Sequence, residues 1–125
     1  MSGKRIVITG AASGIGAAAV AQHLAAGDQV IALDVKPITA KVRQALRCDM
    51  ADPASIDTAL AAIDGPLDAL LNIAGLPGTV APELIMRVNT LGLRAITQGL
   101  IDRLQRGGAS VTVAADPTSV PPRSP

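Results

Sequence analysis

Phenylalanine, tyrosine and tryptophan are absent from this chain of 125 residues. Its core must therefore be built from Ala, Val, Ile, Leu and Met, and no phenolic hydroxyl exists within it to act in catalysis. One cysteine, Cys48, excludes an internal disulfide. One histidine, His23, has no second histidine or cysteine at ligand spacing, so a metal site is unsupported. No apolar run approaches the ~20 residues that span a bilayer. Neither sign of charge dominates: 11 basic and 10 acidic residues are well mixed, for a net charge of +1. That balance gives no electrostatic reason to expect nucleic acid or an anionic membrane as a partner. Met1-Ser2-Gly3-Lys4 leads straight into an apolar segment, so no signal peptide is expected. Ser2 in place of glycine excludes N-myristoylation. The expected location is the cytoplasm.

What is present is strongly apolar. Hydrophobic residues make up 49% and the mean hydropathy is +0.40, which argues for one folded domain with a real core. The segment richest in information is Thr9-Gly10-Ala11-Ala12-Ser13-Gly14-Ile15-Gly16, directly after Arg5-Ile6-Val7-Ile8. A β-branched run, a glycine-rich turn and an alanine-rich stretch carry a strand into a helix. Gly10 allows a tight turn with positive φ. Gly14, without Cβ, lets a pyrophosphate approach the backbone, and Gly16 lets the helix lie close to the sheet. The first N–H groups of that helix have no intrahelical acceptor and sit at the positive end of its dipole, which suits an anion.

Along the chain, 5–9 reads as a buried parallel strand and 15–26 as a helix ended by Gly27. A second strand over 29–33 ends at Asp34, completing a βαβ unit with a right-handed crossover. Residues 37–45 form a weak connection with room for a short helix, followed by a third strand over 45–48. Asp52-Pro53 is an N-cap with proline at the first helical position, opening a helix to about Ile63. Leu67 to Ile73 reads as the fourth strand. Apolar residues at helical spacing predict a long helix from Pro82 to Arg106, ended by Gly107-Gly108, and Ser110 to Ala114 predicts a fifth strand. Four of the nine residues from Pro117 to Pro125 are proline, which predicts a disordered tail. The alternation implies an α/β, doubly wound parallel sheet with helices on both faces.

Asp34 lies 18 residues beyond Gly16. In a dinucleotide fold this places a carboxylate at the adenosine ribose, accepting from its 2′- and 3′-hydroxyls. A 2′-phosphate would meet that carboxylate at a cost of about 4 kcal/mol for ~4 Å and an effective dielectric of ~20. Lys36 offsets part of this, but the residue after Asp34 is Val35, not arginine. NAD is expected over NADP.

The glycine spacing Thr9-Gly10-x-x-x-Gly14-x-Gly16 resembles the turn of the short-chain dehydrogenase/reductase family. Cys48-Asp49-Met50, Asn72-Ile73-Ala74-Gly75 and Val88-Asn89 are similar to three further motifs of that family, in order. The likeness runs over residues 4 to 115, with a weaker one to the hydroxysteroid and alcohol dehydrogenase branches. It implies a Rossmann-like domain over 1–115 that binds NAD. Gly10, Ser13, Gly14, Ile15 and Gly16 would hold the pyrophosphate and its riboses, and Asp34 and Val35 the adenosine ribose. Asp49 and Met50 would flank adenine, and Asn72, Ala74 and Gly75 would line the floor. Asn89 would belong to the catalytic set, holding a water in a proton relay. A small alcohol or carbonyl compound would be the substrate, and the 82–106 helix would support a homodimer.

The resemblance also implies a tyrosine, a lysine and a serine after strand five. Ala115 stands where the serine is expected, no Tyr-x-x-x-Lys follows, and Lys41 is the last lysine. The expectation is a family member truncated after about five strands, its pattern lost after Ala114, with 116–125 as tail. Three readings follow: an oxidoreductase by ancestry, a non-catalytic NAD-binding module, or a truncated product. His23 and Cys48 are expected to be a surface side chain and a small buried apolar one.

Overall fold

The computed structural model describes residues 3–12, 14–63, 66–73 and 91–112, with the side chains of 93, 102 and 105–112 excepted. Strand β1 (Arg5–Thr9) leads into helix α1 (Gly14–Ala25), and β2 (Gln29–Asp34) returns beside β1. Strand β3 (Gln44–Arg47), helix α2 (Pro53–Ala62), strand β4 (Leu67–Asn72), helix α3 (Leu93–Leu100) and strand β5 (Leu104–Thr112) follow. A single 3-10 turn over Ile101–Arg103 joins α3 to β5. The five strands are parallel, in the order β3-β2-β1-β4-β5. No helix among the described residues is long and apolar enough to cross a membrane.

Buried residues fall into two clusters, one on each face of the sheet. Ile6, Ile8, Val30 and Ala32 pack with Val20 of α1. Val7, Ile31, Leu33 and Leu70 pack with Ile56 and Ala59 of α2 and with Ile96 and Leu100 of α3. Strand residues two apart share a face, so β1 and β2, apolar throughout, feed both cores at once. This is the doubly wound arrangement the sequence implies. Without aromatic rings, the largest fully buried side chains are Ile and Leu.

Local signals set the element ends. Gly27 has φ +85°, and the N–H groups of Gly27 and Asp28 donate to the carbonyls of Leu24 and His23 at 3.0 Å each, closing α1 with a Schellman motif. Asp52 caps α2 by accepting from the Ala54 N–H at 3.0 Å, with Pro53 in the first turn. Gly99 gives α3 its close approach to α2: a Cβ there would come within 2.6 Å of Leu60 Cδ1.

Two expectations are corrected. Residues 35–43 contain no helix; Pro37 and the β-branched Ile38 and Thr39 oppose one, and Ile38 and Val42 pack as loop residues against the α1-side core. The long helix to Arg106 ends instead at Leu100, and β5 begins at Leu104 rather than Ser110. Pairing with β4 overrides the helical spacing there. The register shifts between Leu67↔Leu104 and Ala69↔Ala109, leaving Gly107 and Gly108 in the excess chain of an irregular strand instead of at a helix end. The part of that helix before residue 91 and the tail over 116–125 lie outside the described residues.

Candidate functional site

In a parallel sheet every strand ends on the same edge, and this edge gathers the chemistry. Gly10 follows β1, Asp34 closes β2, Asp49 follows β3 and Asn72 closes β4. The order β2-β1-β4 places the chain reversal between β1 and β4, where a crevice opens in folds of this kind. The Thr9 hydroxyl, buried at that reversal, accepts from the Ile73 N–H at 3.0 Å and ties the two strand ends together.

The glycine turn is tight for an identifiable reason. Gly10 has φ +66° and Gly14 φ +60°, conformations that suit glycine. A Cβ on Gly16 would overlap the Gly10 carbonyl oxygen and come within 2.6 Å of its carbon. Helix α1 thus begins pressed against the loop that precedes it. At Gly14 the situation is opposite: apart from its chain neighbours and the helix's own backbone, nothing among the described residues lies within 4 Å of where a Cβ would stand. Ile15, in the first turn of α1, is 46% exposed. The helix start is therefore an open, apolar-edged surface whose first N–H groups face no intrahelical acceptor.

Asp34 organises the rim. Its Oδ2 accepts from the Ala12 N–H at 2.9 Å and its Oδ1 from the Lys36 N–H at 2.9 Å. The Ala11 N–H donates to the Leu33 carbonyl at 3.2 Å. The carboxylate thus fixes the glycine turn and its own bend together. A carboxylate has about four acceptor positions, so room remains for hydroxyl donors. Val35 beside it is 53% exposed, unusual for a large apolar side chain on a strand end. Asp34, Val35, Lys36, Pro37 and Ile38 border a cleft of about 300 Å³ that reaches Ala45, Leu46 and Arg47 of β3.

Asp49 is held by its neighbours: its N–H donates to Ser55 Oγ at 2.8 Å, and its Oδ1 accepts from the Ala51 N–H at 2.9 Å. Met50 is 7% exposed and packs in the core, with Cys48 Sγ 4.0 Å from its Sδ. Any contact it makes with a ligand at this edge falls to its backbone. Asn72 is 1% exposed; its Nδ2 donates to Thr97 Oγ1 at 3.2 Å, while its Oδ1 has no partner among the described residues. A buried, unpaired acceptor at the crevice suits a bound water or donor. Burial pushes the Cys48 thiol up to about 11, so it stays a small neutral core group. Among the described residues no cluster of His, Cys, Asp or Glu could hold a metal ion.

Gly10, Gly14, Ile15, Gly16, Asp34, Val35, Asp49 and Asn72 thus share one edge of the sheet. Ser13, Ala74, Gly75 and Asn89 lie outside the described residues. Sequence reasoning missed Arg47 as part of this region, because only the β2–β3 register places it beside Asp34.

Residues 4–121 match the family model described as short chain dehydrogenase. The chain belongs to the short-chain dehydrogenase family. Within that family it is 36% identical over 115 residues to the coniferyl-alcohol dehydrogenase of Pseudomonas sp. (strain HR199 / DSM 7063), covering 92% of this chain and 45% of that protein. The 3-alpha-hydroxysteroid dehydrogenase from Pseudomonas sp. B-0831, solved in complex with NADH, superposes with a TM-score of 0.73 at 36% identity, over 86% of this chain and 43% of that one. The 3-ketoacyl-(acyl-carrier-protein) reductase from Brucella melitensis, also complexed with NADH, gives 0.71 at 28% identity, over 82% and 50%. This short-chain dehydrogenase chain spans about half the length of the curated relatives it matches.

Proposed function

We propose that this chain is the NAD-binding portion of a short-chain dehydrogenase, an oxidoreductase acting between a small alcohol and its carbonyl compound. The observation that carries the reading is the bond from the Ala12 N–H to Asp34. It joins the anion-binding turn to the carboxylate that would receive a ribose, so one rigid unit offers both contacts. Two structural neighbours complexed with NADH support it.

In this reading residues 1–115 form the binding domain and 116–125 a tail. Gly10, Ser13, Gly14, Ile15 and Gly16 hold the diphosphate through backbone N–H groups and helix dipole. Asp34 accepts from the adenosine ribose, with Val35 beside it, while Asp49 and the Met50 backbone border adenine. Asn72, Ala74 and Gly75 form the floor. Among the described residues, the open space above Gly14 and the unpaired Asn72 Oδ1 fit a bound dinucleotide. Bound NAD supplies the hydride acceptor. Asn89 belongs to the proton relay. The carboxylate of Asp34 disfavours a 2′-phosphate, so NAD is taken over NADP. The protein is cytoplasmic, and the exposed Leu91 and Ile101 beside α3 mark where a second copy would associate.

The 125 residues contain no tyrosine. By themselves they bind cofactor without turnover. The test is a fluorescence titration with NADH and NADPH, followed by an assay with a panel of alcohols and ketones. Saturable NADH binding, weaker NADPH binding and no turnover are expected. Turnover by this chain would overturn the non-catalytic reading, and equal affinity for the two coenzymes would overturn the NAD preference.

A further inference from the structure

The preference for an unphosphorylated ribose rests on Asp34, and the β2–β3 register puts a cation beside it. Asp34 and Arg47 are direct partners in the parallel pairing. Paired strands lie about 4.8 Å apart, and register partners project to the same face of the sheet. Both residues border the same cleft, together with Lys36. The Lys36 backbone is fixed there by its bond to Asp34 Oδ1. Neither Arg47 nor Lys36 forms an ion pair among the described residues, and both are exposed.

Arg47 reaches the cleft because, among the described residues, nothing covers it. The connection between β2 and β3 holds no helix, so the α1-side face of β3 stays open and Ala45 and Arg47 are both exposed. The charged residues that line the cleft are therefore one anion, Asp34, and two cations, Lys36 and Arg47. A guanidinium matches phosphate oxygens with paired donors, and an ammonium adds a point charge.

We infer that Arg47, on the edge strand, is a specificity-determining residue for the 2′-substituent of the nucleotide: with Lys36 it forms a phosphate cradle whose charge Asp34 offsets in part. This rests on the NAD-binding reading and deepens it. Removing the Asp34 charge then exposes a ready-made site for a 2′-phosphorylated adenosine. The cleft is apolar along Val35, Pro37 and Ile38, which suits a base and ribose lying across it.

The experiment measures dissociation constants of the 125-residue chain for 5′-AMP and for adenosine 2′,5′-bisphosphate by calorimetry. The readout is their ratio, which a general loss of structure does not shift selectively. Asp34→Asn should move the ratio toward the bisphosphate by about tenfold or more, the scale of one charge-assisted contact. Adding Arg47→Ala to that variant should abolish the gain. Asp34 also anchors two backbone N–H groups, so Arg47→Ala in the native background gives an independent measure. There the ratio should move about threefold or more away from the bisphosphate, less so at high salt. An unchanged ratio on loss of Arg47 in both backgrounds overturns the inference while leaving the cofactor reading standing. Failure of the folded native chain to bind 5′-AMP at all overturns the cofactor reading, and this inference with it.

Discussion

Gly16 sits against the carbonyl of Gly10 so closely that a methyl group at residue 16 would overlap the Gly10 oxygen. The obstacle is backbone, which cannot swing aside as the end of a side chain can. Gly16→Ala is expected to destabilise the chain by about 3 kcal/mol or more, at or above the upper end for overpacking. Gly14→Ala meets open space among the described residues and costs the left-handed conformation, about 1–2 kcal/mol. Its Cβ would stand where the diphosphate is proposed to lie, so its larger effect should be on NADH affinity. Urea denaturation and NADH titration of the two variants should therefore rank them in opposite orders.

Asp34→Ala leaves the Ala12 and Lys36 N–H groups without their acceptor. A destabilisation of about 1–3 kcal/mol is expected from the unmade bonds. NADH affinity should fall by about tenfold or more, since a lost charge-assisted bond to a hydroxyl is of that size. Calorimetry at a temperature where the variant remains folded checks both.

Asp52 starts α2 three residues beyond Asp49, whose carbonyl accepts from the Asp52 N–H at 3.0 Å. Asp52→Ala removes the N-cap of α2. A loss of about 1 kcal/mol is expected by chemical denaturation.

Asp28 gives the pH dependence. It accepts from His23 Nδ1 at 2.9 Å and from the Lys4 N–H at 3.3 Å. The His23 bond, ahead of the Lys4 contacts, holds its carboxyl below the ordinary 3.8, against an opposing effect of burial. A carboxylate depressed in the folded state stabilises the fold above its unfolded pKa, and that contribution is lost as pH falls through the folded value. Thermal melting should fall more steeply with acid below about pH 4 for the native chain than for Asp28→Asn. Equal acid slopes would contradict the assignment.

Cys48 is 2% exposed with its thiol raised to about 11 by burial. Labelling by a thiol reagent at neutral pH should be slow in the folded chain and accelerate sharply in denaturant. Rapid labelling of the native protein would contradict a core position.

Much of the site was legible because its signals are local. Strand β1, the Gly27 terminus of α1 and the Asp52-Pro53 start of α2 are set by residues within a few positions of each other. The glycine spacing is local too, and Gly10 and Gly16 stand as that spacing implies. The third element family, α3 and β5, was not legible. Leu104 lies on a sequence pattern that suits a helix, and only its pairing with Leu67, far away in sequence, makes it strand. Arg47 was missed for the same reason, since its relation to Asp34 is a register, not a spacing. The family resemblance implies Met50 as a neighbour of a bound base, and the packing of its side chain in the core, 7% exposed, was not legible from the sequence.

The central claim is that the turn from Gly10 to Gly16 and the Asp34 carboxylate together grip a dinucleotide. Calorimetric titration of the folded 125-residue chain with NADH tests it most directly. The account predicts saturable binding at one site per chain, lost or much weakened by Gly14→Ala. A folded chain that takes up no NADH, or binds it equally well with alanine at position 14, would contradict it.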